Sequence, residues 1–255
     1  MKKMFGVLLV LIGAIACQNE NSESPLTNEI RDVSAIGKRI TQQQGVAWTA
    51  EYQRQNPEAT WGFLFGKRIL TRLLENDGAE GIWLMRGIND EGSLKLVLYS
   101  ADEAGEVLTK SNIRANGDTT IDPADDGKDC PPGCPISGGG RLANREVEKI
   151  GKQITWDTGA EWVSRFRSEN PDSQYGMLYG KEMIMDLLSP DKVEGIWFYF
   201  GINEKNEEVM VLYSADQNGN HWGTSASGAA RSNGDDVFEP ADDGEDCPPN
   251  CPKVP

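Results

Sequence analysis

An α+β fold, laid down twice in one chain, is what this sequence predicts, and three observations carry it. A stretch of 75 residues recurs 114 positions later without a gap. Within each copy, apolar residues at helical spacing precede two runs patterned as paired strands. Both copies then close on the same turn-rich, cysteine-bearing tail.

The repeat is the firmest of the three. Residues 31–105 align with 145–219, and 32 of the 75 positions are identical, far more than unrelated segments share. Glu80-Gly81-Ile82-Trp83 matches Glu194-Gly195-Ile196-Trp197, and Val97 to Asp102 matches Val211 to Asp216 without a difference. Each tail reads Pro-Ala-Asp-Asp-Gly-x-Asp-Cys-Pro-Pro-x-Cys-Pro. The predicted organisation is a leader over 1–16, a polar tether over 17–30, one repeat domain over 31–135, a Gly-rich linker over 136–144, and a second repeat domain over 145–255. Each copy is long enough for a core of its own, so two beads on a flexible joint are expected.

In chain order, Thr41-x-x-Gln44 has the form of a capping box opening a helix that Pro57 ends. Trp48 and Tyr52 lie one turn apart on it, as do Trp162 and Phe166 in the second copy, and they are expected in the core. A second helix follows Gly66, with Ile69, Leu70, Leu73 and Leu74 on one face, echoed by Ile184, Leu187 and Leu188. Residues 81–88 read as a strand, 89–92 as a turn and 94–101 as the hairpin partner. The expected order within a copy is therefore α-α-β-β, an antiparallel hairpin or sheet after two helices, followed by the Cys-Pro-Pro-x-Cys tail.

The first strand of the hairpin is apolar on both faces in the second copy: Ile196, Trp197, Phe198, Tyr199, Phe200. In the first copy Arg86 stands in the place of Phe200. Such a strand needs cover on both sides. Helices can supply one side; the C-terminal segment, the sister copy or a partner must supply the other. Trp83, Tyr99, Trp197 and Tyr213 are the candidate binding surface if that cover is a partner.

Five cysteines divide into Cys17 and two motifs, Cys130-Pro-Pro-Gly-Cys134 and Cys247-Pro-Pro-Asn-Cys251. Four cysteines allow three pairings. Pairing within each motif is expected, because each copy carries its own set and a Pro-Pro turn can bring the two ends together. A redox couple normally has two residues between its cysteines, and a shared zinc needs reduced thiols and adjacent copies.

Little in the chain points to catalysis. His221 is the single histidine, so neither a His-based triad nor a multi-His metal site can be assembled. No phosphate loop, nucleophile elbow or HExxH is present. Glu80 with Asp102, and Glu194 with Asp216, are carboxylate pairs that flank the hairpins and could serve acid–base chemistry on a glycosidic bond. The tails gather Asp122, Asp125, Asp126 and Asp129, then Glu239, Asp242, Asp243 and Asp246, around a glycine. Oxygen-rich loops of this kind hold calcium weakly outside cells, although the spacing is not that of an EF-hand.

The formal charge is −15 over the whole chain and −17 once Lys2 and Lys3 are removed. A surface this acidic is repelled by nucleic acid and by anionic headgroups.

The leader carries Lys2 and Lys3, then an apolar run too short to span a bilayer comfortably. Its end, Gly13-Ala14-Ile15-Ala16-Cys17, resembles the lipobox of bacterial lipoproteins, with Ala14 where Leu is usual. The resemblance implies lipidation of Cys17 and a protein held at the bacterial cell envelope, in the periplasm or at the cell surface. Each copy, through Phe65-Gly66-Lys67, Gly81-Ile82, Gly87-Ile88-Asn89, Val97-Leu98 and the final Cys-Pro-Pro-x-Cys, also looks like a group of uncharacterised exported proteins of Bacteroidetes. That likeness implies a compartment and a domain unit rather than an activity. The expected function is thus a non-catalytic, envelope-anchored binding module for a protein or glycan partner. The alternatives are a carboxylate-dependent glycan hydrolase and a structural envelope protein with calcium-stabilised loops.

Overall fold

The computed structural model describes residues 32–109, 122–125, 127–130, 146–223, 241–242 and 244–246. These described residues fall in one compact unit. The class is α+β, with four α-helices and antiparallel sheets among the described residues.

The described elements run β1 (Lys38–Arg39), α1 (Gln42–Gln55), β2 (Gly62–Gly66), α2 (Lys67–Leu74), β3 (Gly81–Ile88), β4 (Leu94–Ala101), β5 (Ala124–Asp125) and β6 (Lys128–Cys130). The same order then recurs as β7 (Lys152–Gln153), α3 (Trp156–Glu169), β8 (Gly176–Gly180), α4 (Lys181–Leu188), β9 (Val193–Ile202), β10 (Glu208–Asp216), β11 (Ala241–Asp242) and β12 (Glu245–Asp246). Helix α1 opens on the predicted capping box: the Thr41 hydroxyl accepts from the Gln44 amide, and the Gln44 side chain accepts from the Thr41 amide. Both hairpins form as expected, in register from Gly81 opposite Ala101 to Ile88 opposite Leu94 in the first. The expected α-α-β-β order is corrected, because a short strand, β1 or β7, precedes the first helix of each copy, and β2 or β8 precedes the second.

Those two strands decide the architecture. Strand β2 does not pair with the hairpin of its own copy. It lies antiparallel to β9 of the second copy, with Phe63 opposite Phe198 and Leu64 opposite Trp197. Reciprocally β8 lies against β3, with Met177 opposite Leu84 and Leu178 opposite Trp83. The two six-stranded sheets, in the orders β1-β11-β10-β9-β2-β6 and β12-β8-β3-β4-β5-β7, each take strands from both copies. The expectation of two separate beads is corrected: the copies interleave.

Side-chain alternation explains why this works. In β3 and β4, Ile82, Leu84, Leu96 and Leu98 face a central core; in β9 and β10, Ile196, Phe198, Phe200, Met210 and Leu212 face the same core. Helices α2 and α4 fill it with Leu70, Leu73, Leu74, Ile184, Leu187 and Leu188. The opposite faces pack under helices from the other copy. Val163 and Phe166 of α3 cover Trp83, Val97 and Tyr99, while Trp48 of α1 covers Trp197, Val211 and Tyr213. The two-sided apolar hairpin therefore finds both of its covers inside the chain.

Backbone contacts at the crossing are close. The Gly66 amide donates to the Ile150 carbonyl at 2.9 Å, and the Gly180 amide to the Ile36 carbonyl at 2.8 Å. A Cβ on Gly66 would lie 2.3 Å from the Val147 oxygen, and one on Gly180 2.2 Å from the Ser34 oxygen. Only glycine fits where these chains pass.

Candidate functional site

The four aromatic residues predicted as a binding surface are interior: Trp83, Tyr99, Trp197 and Tyr213 are 3%, 1%, 3% and 3% exposed. The indole N–H of Trp83 donates to the Gly105 carbonyl and that of Trp197 to the Gly219 carbonyl, both at 2.8 Å. These tryptophans anchor the turns that leave β4 and β10. They are packing residues, and the surface reading is corrected.

The carboxylates that flank the hairpins have separate tasks. The Asp102 side chain accepts from the amides of Ala104 and Glu106, each at 2.9 Å. The Asp216 side chain accepts from the amides of Asn218 and Asn220 at 2.8 and 2.9 Å, and from the Asn220 side-chain amide. Both are Asx-type locks on tight turns. Glu80 and Glu194 sit half-buried at the starts of the hairpins.

Around Asp216 the second copy opens a cleft of about 390 Å³, lined by Asp191, Lys192, Glu194, Asp216, Gln217 and Trp222. The register of the pairing with β9 shifts between Ala215 and Asp216, at this end of the strand. The Trp222 amide donates to the Ser214 carbonyl at 2.7 Å, which fixes the backbone here, and the half-buried indole packs against the central core. The Lys192 ammonium stands 5.7 Å from the Trp222 ring centre, within cation–π range. The equivalent positions of the first copy are Asp77, Gly78, Glu80, Asp102, Glu103 and Leu108. There Leu108 is buried against Ala79. The lysine and the indole belong to the second copy alone.

Behind the cleft, His221 replaces Val107 of the first copy. Its ring is buried, Nε2 lies 3.2 Å from the Tyr199 hydroxyl, and burial pushes its pKa down to about 3. Burial also pushes the Tyr199 phenol well up. A neutral imidazole in this setting is a core residue, not an accessible base.

The tail acids are divided among different partners. Asp125 is buried on β5, whose backbone pairs with Lys152, and Asp129 makes an ion pair with Lys95 at 3.7 Å. Asp122 is half-buried. Asp242 and Asp246 are described only as strand residues, and Asp126, Glu239 and Asp243 lie outside the described residues. Among the described residues no three His, Cys, Asp or Glu side chains gather as a metal site. Cys17, Cys134, Cys247 and Cys251 lie outside the described residues, and Cys130 ends β6. No helix among the described residues is long and apolar enough to cross a membrane.

The cleft was missed by looking for residues that the copies share. Its signal lay in the differences, Gly78 against Lys192, Val107 against His221 and Leu108 against Trp222. Comparison of the chain with protein-family descriptions, with curated proteins and with solved structures finds no match.

Proposed function

We propose that this protein is an envelope-anchored, non-catalytic binding lipoprotein, and that the cleft at Trp222 is where a glycan is held. One observation carries the reading. The two copies share their packing residues, but at the cleft beside Asp216 a cation, Lys192, and a half-buried indole, Trp222, stand where the first copy has Gly78 and the buried Leu108. An aromatic face with a few convergent polar groups suits a polyhydroxylated ligand. In this reading Cys17 carries the lipid, residues 18–30 tether the tandem-repeat body to the membrane, and Cys130–Cys134 and Cys247–Cys251 close as local disulfides on the tails.

Glu194 and Asp216 line the same cleft, which raises the second reading of a carboxylate-dependent glycan hydrolase. Binding is favoured over it because three N–H donors already occupy the Asp216 carboxylate, leaving it poorly placed to activate water.

The test is a tryptophan-fluorescence titration of the mature protein with neutral and amino-bearing oligosaccharides, beside Trp222→Leu, which installs the first copy's residue. Saturable binding by the native protein and its loss in a variant of unchanged melting temperature supports the proposal. Equal binding by both places the ligand elsewhere. New reducing ends in the native incubation support the hydrolase.

A further inference from the structure

The seam between the copies is nearly two-fold symmetric, so the positions that break the symmetry are informative. Arg86 and Phe200 are equivalent positions, and so are Tyr52 and Phe166. All four meet at the centre. The Arg86 guanidinium carbon lies 4.5 Å from the Phe200 ring centre and 5.8 Å from that of Phe166. Tyr52 packs on Phe200 at 5.3 Å. Arg86 is almost wholly buried, and burial pulls its pKa down to about 10. Its ion-pair partner is Glu208, which occupies the place of Leu94. The first copy thus carries a buried cation where the second has an aromatic ring, and the second carries the anion that compensates it.

Two further ion pairs cross the seam, one with its cation in the first copy and one with its cation in the second. Arg39 pairs with Asp186 at 2.6 Å, and Arg165 pairs with Asp90 at 3.1 Å. Symmetry shows what each residue would meet if a first half were paired with another first half. Arg39 would face Arg72, the equivalent of Asp186. Asp90 would face Glu51, the equivalent of Arg165. Arg86 would face a second Arg86 with Leu94 in place of the carboxylate. Each contact becomes a like-charge pair, one of them buried, and such juxtapositions are strongly unfavourable.

We infer that the seam is a heterotypic interface: Arg39, Arg86 and Asp90 make the surface of the first half accept a second half, from its own chain or from a second copy of this chain, and reject another first half. Exposed pairs such as Arg165–Asp90 add little stability. Their effect is on the choice of partner, by penalising the wrong one.

The experiment uses the full chain with a protease site inserted in residues 136–144. Isotopically light and heavy preparations are cleaved, mixed, unfolded in urea, refolded and weighed by native mass spectrometry. First–second pairs are expected throughout, including pairs across the two preparations, with first–first pairs about tenfold rarer or less. The E51R/R72D/R86F variant converts all three repulsions, so first–first pairs should then appear. First–first pairs as abundant as first–second pairs in the native protein would overturn the inference, as would a variant that gains none. Should no fragment pairs refold, the intact chain decides. Glu208→Leu strands the Arg86 charge and should lower the urea midpoint, while R86F/E208L should restore it. An unchanged midpoint in Glu208→Leu refutes the role of the pair.

Discussion

The ring of His221 lies flat against Tyr213, with centroids 4.3 Å apart and planes 9° from parallel. This contact has a consequence for acid stability. Burial holds the folded imidazole to a pKa of about 3, against 6.5 for an unperturbed histidine. Between those values the unfolded chain binds a proton that the folded chain does not, so stability declines as pH falls from about 6.5 toward 3. The slope from this group approaches 1.4 kcal/mol per pH unit, roughly. His221→Val, which copies Val107, removes it. Urea unfolding of both proteins at pH 7 and pH 4.5 should show the native protein losing up to about 3 kcal/mol relative to the variant. Parallel curves would mean that His221 is not held neutral.

Trp83 and Trp197 each bury a large ring and satisfy one turn carbonyl. Replacing either with Ala should cost about 3–5 kcal/mol of unfolding free energy. A loss under about 1 kcal/mol in chemical denaturation would contradict an interior position for the ring.

Asp102 and Asp216 act as acceptors within turns, and asparagine can accept through Oδ1 in the same way. Asp102→Asn and Asp216→Asn should therefore leave the melting temperature close to native. Asp102→Ala and Asp216→Ala should each cost about 1–2 kcal/mol. A large loss in the Asn variants alone would show that the charge, rather than the turn, is what the fold needs.

Strands β2 and β8 tie each sheet to both copies, so the protein should unfold in one transition, with circular dichroism and fluorescence coincident. Amides of Phe63, Leu64, Met177 and Leu178 should exchange only through global opening. Gly66→Ala or Gly180→Ala drives a methyl group into a backbone carbonyl and should destabilise both sheets together by about 2–3 kcal/mol. Two separate transitions would restore the picture of independent copies.

Local pattern made α1, α2 and both hairpins legible in the sequence, because capping residues, apolar spacing and turn residues act within a few positions of each other. Strand β2 was not legible. Gly62-Phe63-Leu64-Phe65-Gly66 is apolar on both faces, shows no alternation and runs directly into α2, so it reads as the approach to a helix. Its partner β9 lies about 130 residues onward, and two similar copies give no local reason to prefer pairing across the repeat over pairing within it. The aromatic residues of the hairpins were legible as important but not as interior, since what covers them is α1 and α3 exchanged between copies. The cleft rests on Lys192 and Trp222, which a search for shared residues passes over by construction.

The tails carry a last implication. In each, one short strand joins one sheet and the next joins the other, β5 beside β4 and β6 beside β2, then β11 beside β10 and β12 beside β8. The chain cannot complete either sheet until residues 241–246 are in hand. A first half emerging from a ribosome carries the apolar faces of Trp83 and Tyr99 before α3, which covers them, has been made. It must wait for the rest of its own chain, and contacts this distant in sequence form slowly. Such a protein depends during synthesis on being sheltered or kept extended, and a truncation after residue 240 would remove far more than its length suggests.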